Sequence, residues 1–406
     1  MRVWRANLVF WLVWLGLAAW CLFNTYDDPS SIFYNPERAY QPRFSSVRTR
    51  EVDGFLQRVN STTAPSSRSR PPLVCIGIPS VNRTSESFVE HAVGSLVDTL
   101  TSSQRELVFL VVLLADRSPT THSAYGKEWL ARLPDEVLVY GNASVVTADN
   151  YRPVSYQVRG VPRGDGRVEN MRLDHSLLVE RCRAQKTPYF ALVEDDVVAS
   201  RDWFSKLSRG LEYVEREAIK SGRDWVYLRL FYSELLMGWN AEESLEYAQF
   251  VFGAYLVLFV VLLELRRRHR RKSVSSASVA SFNCLFAIVL CLWMPAVIAL
   301  FFMAGRVSLH RMNPLSHRGV REMPNYGCCA QGLVFPQRHL GGLEDLLRNP
   351  PFAFAGDQIL EDYARDRALK KWALDPSVLQ HAGRRQSSEG PRVADVWNFS
   401  FERQFR

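Results

Sequence analysis

Three consecutive acidic residues follow an apolar run in the stretch "YFALVEDDVVAS", residues 189–200. Glu194, Asp195 and Asp196 come directly after five residues typical of a buried strand, so we expect them at its carboxyl end. Adjacent carboxylates repel one another, and a divalent cation removes that repulsion. Mg²⁺ and Mn²⁺ prefer oxygen ligands and neutralise diphosphates. The triplet predicts a cation site. The alternative is that the three acids lie in the first turn of a helix, where the helix dipole favours negative charge.

The segments around this triplet predict an α/β fold. Apolar runs typical of buried strands alternate with segments whose apolar residues recur at helical spacing. The predicted strands are 72–81, 107–118, 136–142, 189–193, 224–231 and 328–335. Strands alternating with helices favour a sheet covered on both faces, with ligands at the carboxyl ends of the strands. Pro79, Ser80, Asp116 and Arg117 lie at such ends and are candidate binding residues.

Three other stretches resemble membrane-spanning helices. Residues 8–23 and 279–304 carry no charge, and residues 247–265 carry one acid, Glu264. Crossing a bilayer takes about 20 apolar residues, so the second and third stretches qualify, with buried core helices as the alternative. The first is slightly short, but no small-residue cleavage pattern follows it, so we expect a retained anchor.

Charges beside these stretches predict the orientation. Arg2 and Arg5 precede the first stretch, and "RRRHRRK", residues 266–272, follows the second, which favours the cytosol for both. Residues 24–246 and 305–406 would then lie together on the opposite face. Four N-glycosylation triplets fall in those two segments, which agrees with a lumenal location. They begin at Asn60, Asn82, Asn142 and Asn398.

Composition narrows the class of protein further. With 47% hydrophobic residues in 406, the chain can form a substantial core. The net charge is +8, but six Lys and Arg belong to residues 266–272, so no nucleic-acid partner is expected. Four cysteines outside the spans allow disulfides in an oxidising compartment, with three possible pairings. They are Cys75, Cys182, Cys328 and Cys329.

The order of these features resembles the nucleotide-sugar glycosyltransferases of the GT-A fold. Their Asp-x-Asp motif stands here as Glu194-Asp195-Asp196. "FAGDQILEDY", residues 354–363, is similar to their acid at a helix start, and "VLQHAGRRQSS", residues 378–388, to their late histidine segment. Two spans inserted within the domain make the chain look like the GPI-modifying N-acetylgalactosamine transferases, Golgi enzymes that decorate the glycan of GPI anchors.

This resemblance implies roles for individual residues. Asp357 takes the position of the catalytic base that accepts a proton from the acceptor hydroxyl. Asp195, Asp196 and His381 are implied ligands of Mn²⁺ or Mg²⁺, which would offset charge on the departing UDP. Gly332 matches a glycine that keeps space for the donor. The residues implied to contact the UDP-sugar are Pro79, Ser80, Asp116, Arg117, Arg172, Glu194, Asp195 and Gly332, with Asp174 a further candidate beside Arg172.

The implied function is an inverting transfer of N-acetylgalactosamine from a UDP-sugar to a mannose of the GPI glycan, in a multi-pass Golgi membrane protein with a lumenal catalytic domain. Its partners would be the UDP-sugar, a GPI-anchored protein or GPI glycolipid, and the bilayer. The alternatives are an inactive transferase fold that binds glycans or mediates adhesion, and a transferase using another UDP-sugar or glycolipid acceptor. The predicted organisation is an anchor (1–23), a lumenal stalk (24–70), a GT-A-like domain in two parts (71–246 and 305–406), and a membrane hairpin between them (247–304) with a cytosolic basic loop (266–278).

Overall fold

The computed structural model describes residues 2–62, 70–83, 87–155, 166–272, 276–312, 319–323, 327, 330–349, 356–382 and 396–404. The strands within these residues are β1 (Val74–Ser80), β2 (Val108–Leu114), β3 (Glu136–Tyr140), β4 (Tyr151–Val154), β5 (Tyr189–Val193), β6 (Val197–Ala199), β7 (Trp225–Arg229), β8 (Gly319–Glu322), β9 (Gly332–Pro336), β10 (Lys370–Asp375) and β11 (Leu379–His381).

The helices of the same residues alternate with these strands. They are α1 (Arg2–Asn24), α2 (Pro36–Ala39), α3 (Phe44–Thr62), α4 (Val89–Val97), α5 (Ser102–Glu106), α6 (Glu128–Arg132), α7 (Gly166–Ala184), α8 (Trp203–Ser221), α9 (Ser244–Lys272), α10 (Ser276–Ile288), α11 (Met294–Ala304), α12 (Arg306–Met312), α13 (Leu340–Arg348), α14 (Gly356–Asp366) and α15 (Phe399–Glu402). A π-helical segment, Val289–Trp293, joins α10 to α11.

A mixed sheet forms the centre of the fold. Among the described residues its strand order is β4-β3-β2-β1-β5-β9-β7-β10-β8, and β6 pairs separately with β11. The strands β4, β3, β2, β1 and β5 are mutually parallel, so their carboxyl ends share one edge. Strands buried on both faces read as continuous apolar runs, as β2 does. The predicted α/β class is therefore confirmed.

Close packing joins helix α7 to the central strands. A Cβ added to Gly77 would lie 3.1 Å from atoms of both Leu178 and Phe190, so glycine permits the close approach of α7 to β1. A disulfide between Cys75 of β1 and Cys182 of α7 joins the same two elements. The sequence had left this pairing open. Cys328 and Cys329 lie outside the described residues.

The chain divides into two compact units. The larger comprises residues 42–236 and 317–406, and the smaller comprises residues 1–41 and 237–316. The larger unit contains every strand of the described residues. The smaller unit contains α1 and the two helices of the predicted hairpin.

Part of the predicted stalk is folded. Helix α3 belongs to the larger unit, where Val52 and Val59 are buried. The Arg48 side chain is 0% exposed, and its Nη2 donates to Asp98 Oδ1 at 2.8 Å. Its Nε donates to the carbonyl of Ala199, 3.0 Å away, at the end of β6. The segment 44–62 therefore packs against the sheet domain, because its sparse apolar residues recur at helical spacing.

Among the described residues, three helices are long and apolar enough, by length and composition, to cross a membrane: Val3–Asn24, Glu234–Arg271 and Ser276–Ala304. The indole of Trp14 donates to the carbonyl of Ala296 at 2.8 Å, which links α1 to the second hairpin helix. Most of the predicted basic loop is helical, since α9 continues to Lys272 and α10 begins at Ser276. Arg and Lys are good helix formers, and Glu264 pairs with Arg268 one turn later at 2.9 Å.

Candidate functional site

Polar residues collect where the parallel strands of the sheet end. Ser80 is the last residue of β1, Asp116 follows β2, and the acidic triplet follows β5. Because β1 pairs in parallel with both β2 and β5, these three segments lie at the same edge. This is the edge at which α/β sheets bind ligands. The structure therefore brings Ser80, Asp116 and the acidic triplet to the same edge of the sheet.

The strand pair β6 and β11 places a histidine beside the triplet. Antiparallel pairing sets His381 opposite Val197, the residue after Asp196. The N–H of Ala382 donates to the carbonyl of Asp196 at 2.7 Å. His381 Nε2 is then 3.4 Å from Asp196 Oδ2. Two of the implied cation ligands are thus adjacent.

Asp195 and Asp196 differ in how their oxygens are used. The Ser80 hydroxyl donates to Asp195 Oδ2 at 2.8 Å, and Arg83 Nη2 donates to Asp195 Oδ1 at 2.5 Å. The same Nη2 donates to Asp196 Oδ2 at 3.1 Å. Asp196 Oδ1 is buried and has no hydrogen-bond partner among the described residues. Buried carboxylate oxygens are normally satisfied, so this one points to a ligand.

A polar chain behind Asp195 fixes its carboxylate. His122 Nδ1 accepts the N–H of Ala124 at 3.1 Å, which places the ring proton on Nε2. Nε2 then donates to the Ser80 hydroxyl at 3.1 Å, and that hydroxyl donates to Asp195. Burial lowers the pKa of His122, although the charge of Asp116 opposes this, and so favours the neutral ring. Sequence reasoning missed both His122 and Arg83, because single residues in loops carry no periodic signal.

The acids of the triplet have different pKa values. Burial raises the pKa of Asp195 to about 6, although Arg83 opposes the shift. Burial alone would also raise the pKa of Asp196, but its contact with His381 and the charge of Arg83 outweigh that effect and lower it. The pKa of Glu194 is raised by burial and by the charge of Asp196. Asp196 is therefore the triplet acid most strongly held as a carboxylate.

A further carboxyl lies near the ends of β2 and β3. The Tyr140 hydroxyl donates to Asp174 Oδ1 at 2.6 Å. Burial raises the pKa of Asp174 to about 7, the Tyr140 hydrogen bond opposes the shift, and the charge of Asp116 adds to it. Asp116 itself accepts the N–H of Asn82 at 2.9 Å. Asp174 is thus near enough to Asp116 for the charge of Asp116 to raise its pKa.

Other predicted donor residues lie in different surroundings. Pro79 is in register with Leu113 within the sheet, and the Arg117 side chain is exposed. Arg172 donates to the carbonyl of Leu347 on α13 and lies 3.7 Å from Glu169 of its own helix.

The prediction for Gly332 needs correction. A Cβ added there would lie 2.6 Å from Leu379 Cδ1 and 3.0 Å from Leu230 Cβ. The space beside this glycine is filled by side chains of the protein. Gly332 therefore allows its strand to pack closely against neighbouring segments, and the described contacts give it no donor-facing space.

Asp357 lies in the first turn of α14, and its side chain is outside the described residues. Ile359, Leu360 and Tyr363 are buried and form the apolar face of this helix. Glu361, one turn after Asp357, accepts hydrogen bonds from Arg229 Nη2 at 3.0 Å and Lys371 Nζ at 2.7 Å. The Tyr227 hydroxyl also donates to Glu361. Helix α14 is thus anchored one turn from the candidate base.

Within the described residues, no three His, Cys, Asp or Glu side chains are grouped so that all could hold one metal ion. Asp196 and His381 provide two donors. Mg²⁺ and Mn²⁺ in substrate-bound sites commonly take one or two protein ligands and complete their coordination with phosphate oxygens and water. The unpartnered Asp196 Oδ1 and the adjacent imidazole fit such an ion.

Comparison with known proteins identifies the class. The chain matches the family described as GPI-N-acetylgalactosamine transferase PGAP4 over residues 74–380. It is 28% identical over 138 residues to mouse alpha-1,3-mannosyl-glycoprotein 4-beta-N-acetylglucosaminyltransferase B, a match covering 33% of this chain and 25% of that relative. The chain thus spans about a quarter of that relative's length.

Both matches place the chain among the glycosyltransferases. Because the family match extends over well more than half of the chain, the protein belongs to the GPI-N-acetylgalactosamine transferase PGAP4 family.

Proposed function

We propose that the protein transfers N-acetylgalactosamine from UDP-N-acetylgalactosamine to a mannose of the GPI glycan, with inversion at the anomeric carbon. The sugar and the acceptor are suggested by the family. The observation that carries the proposal is the buried, unpartnered Oδ1 of Asp196 beside His381 at the ligand-binding edge of the sheet. A carboxylate left open in this way suits a cation–diphosphate complex.

The donor would bind where β1, β2 and β5 end. We propose that Ser80, Asp116 and Asp174 line the nucleotide side of the site, as their positions around the triplet suggest. Asp196 and His381 would hold Mn²⁺ or Mg²⁺, and an imidazole ligand favours Mn²⁺. When bound, such an ion offsets the negative charge that develops on UDP as it departs. Asp195, held by Ser80 and Arg83, would orient the loop that carries Asp196.

The acceptor would be activated by Asp357. Its carboxylate accepts the proton of a mannose hydroxyl, whose oxygen attacks the anomeric carbon while the bond from that carbon to the UDP oxygen breaks. The product glycoside has the opposite anomeric configuration, and Asp357 then releases its proton to water. The amino-terminal end of α14 favours the ionised carboxylate through the helix dipole.

The membrane helices suggest where this reaction takes place. Basic residues at the start of α1 and at the end of α9 favour a cytosolic location for those ends, so the larger unit would be lumenal, and we propose the Golgi. The hairpin is inserted within the catalytic part of the chain, so both of its ends tether that part to the bilayer. Such a tether suits a glycan carried on a lipid.

A donor panel with the full-length protein in detergent tests the reaction. We expect UDP release from UDP-N-acetylgalactosamine in the presence of Mn²⁺ and none after chelation. Asp196→Asn should lower the rate by ~10³-fold. Asp366→Asn, at an exposed acid near the end of α14, is the matched control and should retain the wild-type rate.

Other outcomes would revise the proposal. Turnover with a different UDP-sugar would change the donor but keep the reaction. Binding of UDP-sugar and glycan with no turnover under any ionic condition would favour the glycan-binding alternative. Wild-type turnover by Asp196→Asn would remove the cation site from the mechanism.

The acceptor requires a separate assay. The intact protein should modify GPI glycolipid in bilayers with a kcat/KM well above that for the same glycan released from its lipid. Equal values for the two acceptors would contradict a role for the membrane helices in presenting the acceptor, while leaving the donor reaction unaffected.

A further inference from the structure

Arg83 lies three residues after β1 and turns into the acidic site. Its side chain is 17% exposed, and its Nη2 lies between two carboxylates, 2.5 Å from Asp195 Oδ1 and 3.1 Å from Asp196 Oδ2. The guanidinium carbon is 5.4 Å from the centre of the Phe88 ring, a distance that allows a cation–π contact. In this structure Arg83 is the positive group that joins the two aspartates.

The hydrogen-bonding capacity of Arg83 is not fully used. Its Nε is buried and has no partner among the described residues, and the same is true of Asp196 Oδ1. A buried donor and a buried acceptor therefore remain open on the two members of one ion pair. Guanidinium groups bind phosphate through several N–H groups at once, whereas the Asp196 oxygen suits a divalent cation. A diphosphate accompanied by its cation would satisfy both.

Charge makes the binding of a cation at Asp196 and the binding of a diphosphate at Arg83 depend on one another. A divalent ion bound to Asp196 alone would lie close to the Arg83 guanidinium, and like charges at such short range repel. An anionic diphosphate placed between the ion and the guanidinium removes that repulsion. Without the nucleotide, Arg83 neutralises the aspartates itself and competes with the ion.

We propose that Arg83 is a ligand of the donor diphosphate and makes cation binding depend on the nucleotide. This inference rests on the proposed function, since it takes a UDP-sugar and a cation at Asp196. Arg83 neutralises Asp195 and Asp196 in the absence of donor. On donor binding it turns towards the diphosphate and leaves the aspartate oxygens to the cation.

Mn²⁺ binding, measured by the electron paramagnetic resonance of free Mn²⁺, tests this without any turnover. Full-length wild type and Arg83→Gln would be titrated with and without UDP. Without UDP, we expect Arg83→Gln to bind Mn²⁺ ~10-fold more tightly than wild type, because the competing charge is gone. The factor by which UDP strengthens Mn²⁺ binding should fall by ~10-fold in the variant. Arg209→Gln, an exposed arginine on α8, makes the same charge change and should match wild type.

Arg83→Lys provides a second measurement if the glutamine variant folds poorly. Lysine keeps the positive charge but lacks the planar fork, so Mn²⁺ affinity without UDP should stay near wild type while the effect of UDP falls. If UDP strengthened Mn²⁺ binding by the same factor in either folded variant as in wild type, the inference would be wrong. If the wild-type protein bound neither UDP nor Mn²⁺, the proposed function would fail, and this inference with it.

Discussion

His381 and Asp196 lie side by side, with 3.4 Å between Nε2 and Oδ2, because β11 pairs with β6. The N–H of Ala382 donates to the carbonyl of Asp196, so the main chain makes the same connection. The Asp196 carboxylate thus depends on the carboxyl-terminal part of the larger unit. A cation at Asp196 would join two segments distant in sequence.

The chain of hydrogen bonds from His122 through Ser80 to Asp195 predicts that the first two residues act through the third. Ser80→Ala and His122→Ala should each weaken binding of UDP together with Mn²⁺ by ~10–100-fold, since Asp195 loses an oriented partner. The double variant should be little weaker than either single variant, because both changes break one chain. Calorimetric titration measures this, with exposed Thr120→Ala as the control. Wild-type affinity in His122→Ala would remove the histidine from the chain.

Substitutions at Asp357 and Glu361 should have different effects, the first on the transfer rate and the second on stability, although the two residues lie one turn apart. Asp357→Asn should lower the transfer rate by ~10²-fold or more and leave UDP binding and thermal stability near wild type. Glu361→Gln removes the carboxylate that pairs with buried Arg229 and with Lys371, and should destabilise the protein by about 3 kcal/mol. Stopped assays and thermal unfolding separate the two effects. If Asp357→Asn turned over normally, the base would lie elsewhere.

Asp174 predicts a pH dependence of stability. Its pKa is raised from the ordinary 3.8 to about 7, so the folded protein holds this proton more tightly than the unfolded chain does. Its contribution to stability is complete below about pH 4 and is lost as the pH rises through about 7. In Asp174→Asn the Tyr140 hydroxyl keeps an acceptor, and this loss should vanish. Between pH 5 and pH 8 the wild-type Tm should fall by roughly 5 °C more than that of the variant. Exposed Asp149→Asn should behave as wild type.

The glycosylation triplets differ in accessibility. Asn398 is 0% exposed. Asn82 is exposed, but its amide donates to the Thr121 carbonyl and accepts the N–H of Ser123. Asn142 is exposed. Glycopeptide mass spectrometry of the folded protein should therefore find Asn142 occupied and Asn82 and Asn398 unoccupied. A triplet engineered into residues 266–278 should also remain unmodified if that segment is cytosolic. A glycan found there would reverse the proposed orientation.

Features set by neighbouring residues could be predicted from the sequence. The buried strands β1, β2, β3, β5 and β7 follow from apolar runs, and the membrane-like helices follow from length and absence of charge. The strands β4, β6, β8, β10 and β11 were not predicted. Tyr151–Val154 has two exposed residues and lies at the sheet edge, Lys370–Asp375 begins with two charged residues, and Leu379–His381 is only three residues long. Such segments become strands through a partner, which local composition does not reveal.

By itself the sequence determined that three carboxylates would lie at the carboxyl end of a buried strand, because strand patterns and chain order are local properties. Only the tertiary structure decided how each oxygen is used. It placed Arg83 between Asp195 and Asp196, set Ser80 and His122 behind Asp195, and left Asp196 Oδ1 buried without a described partner. These relationships join loops separated by tens of residues or more. They depend on side-chain directions that sheet register and long-range packing impose, and no spacing along the chain encodes them.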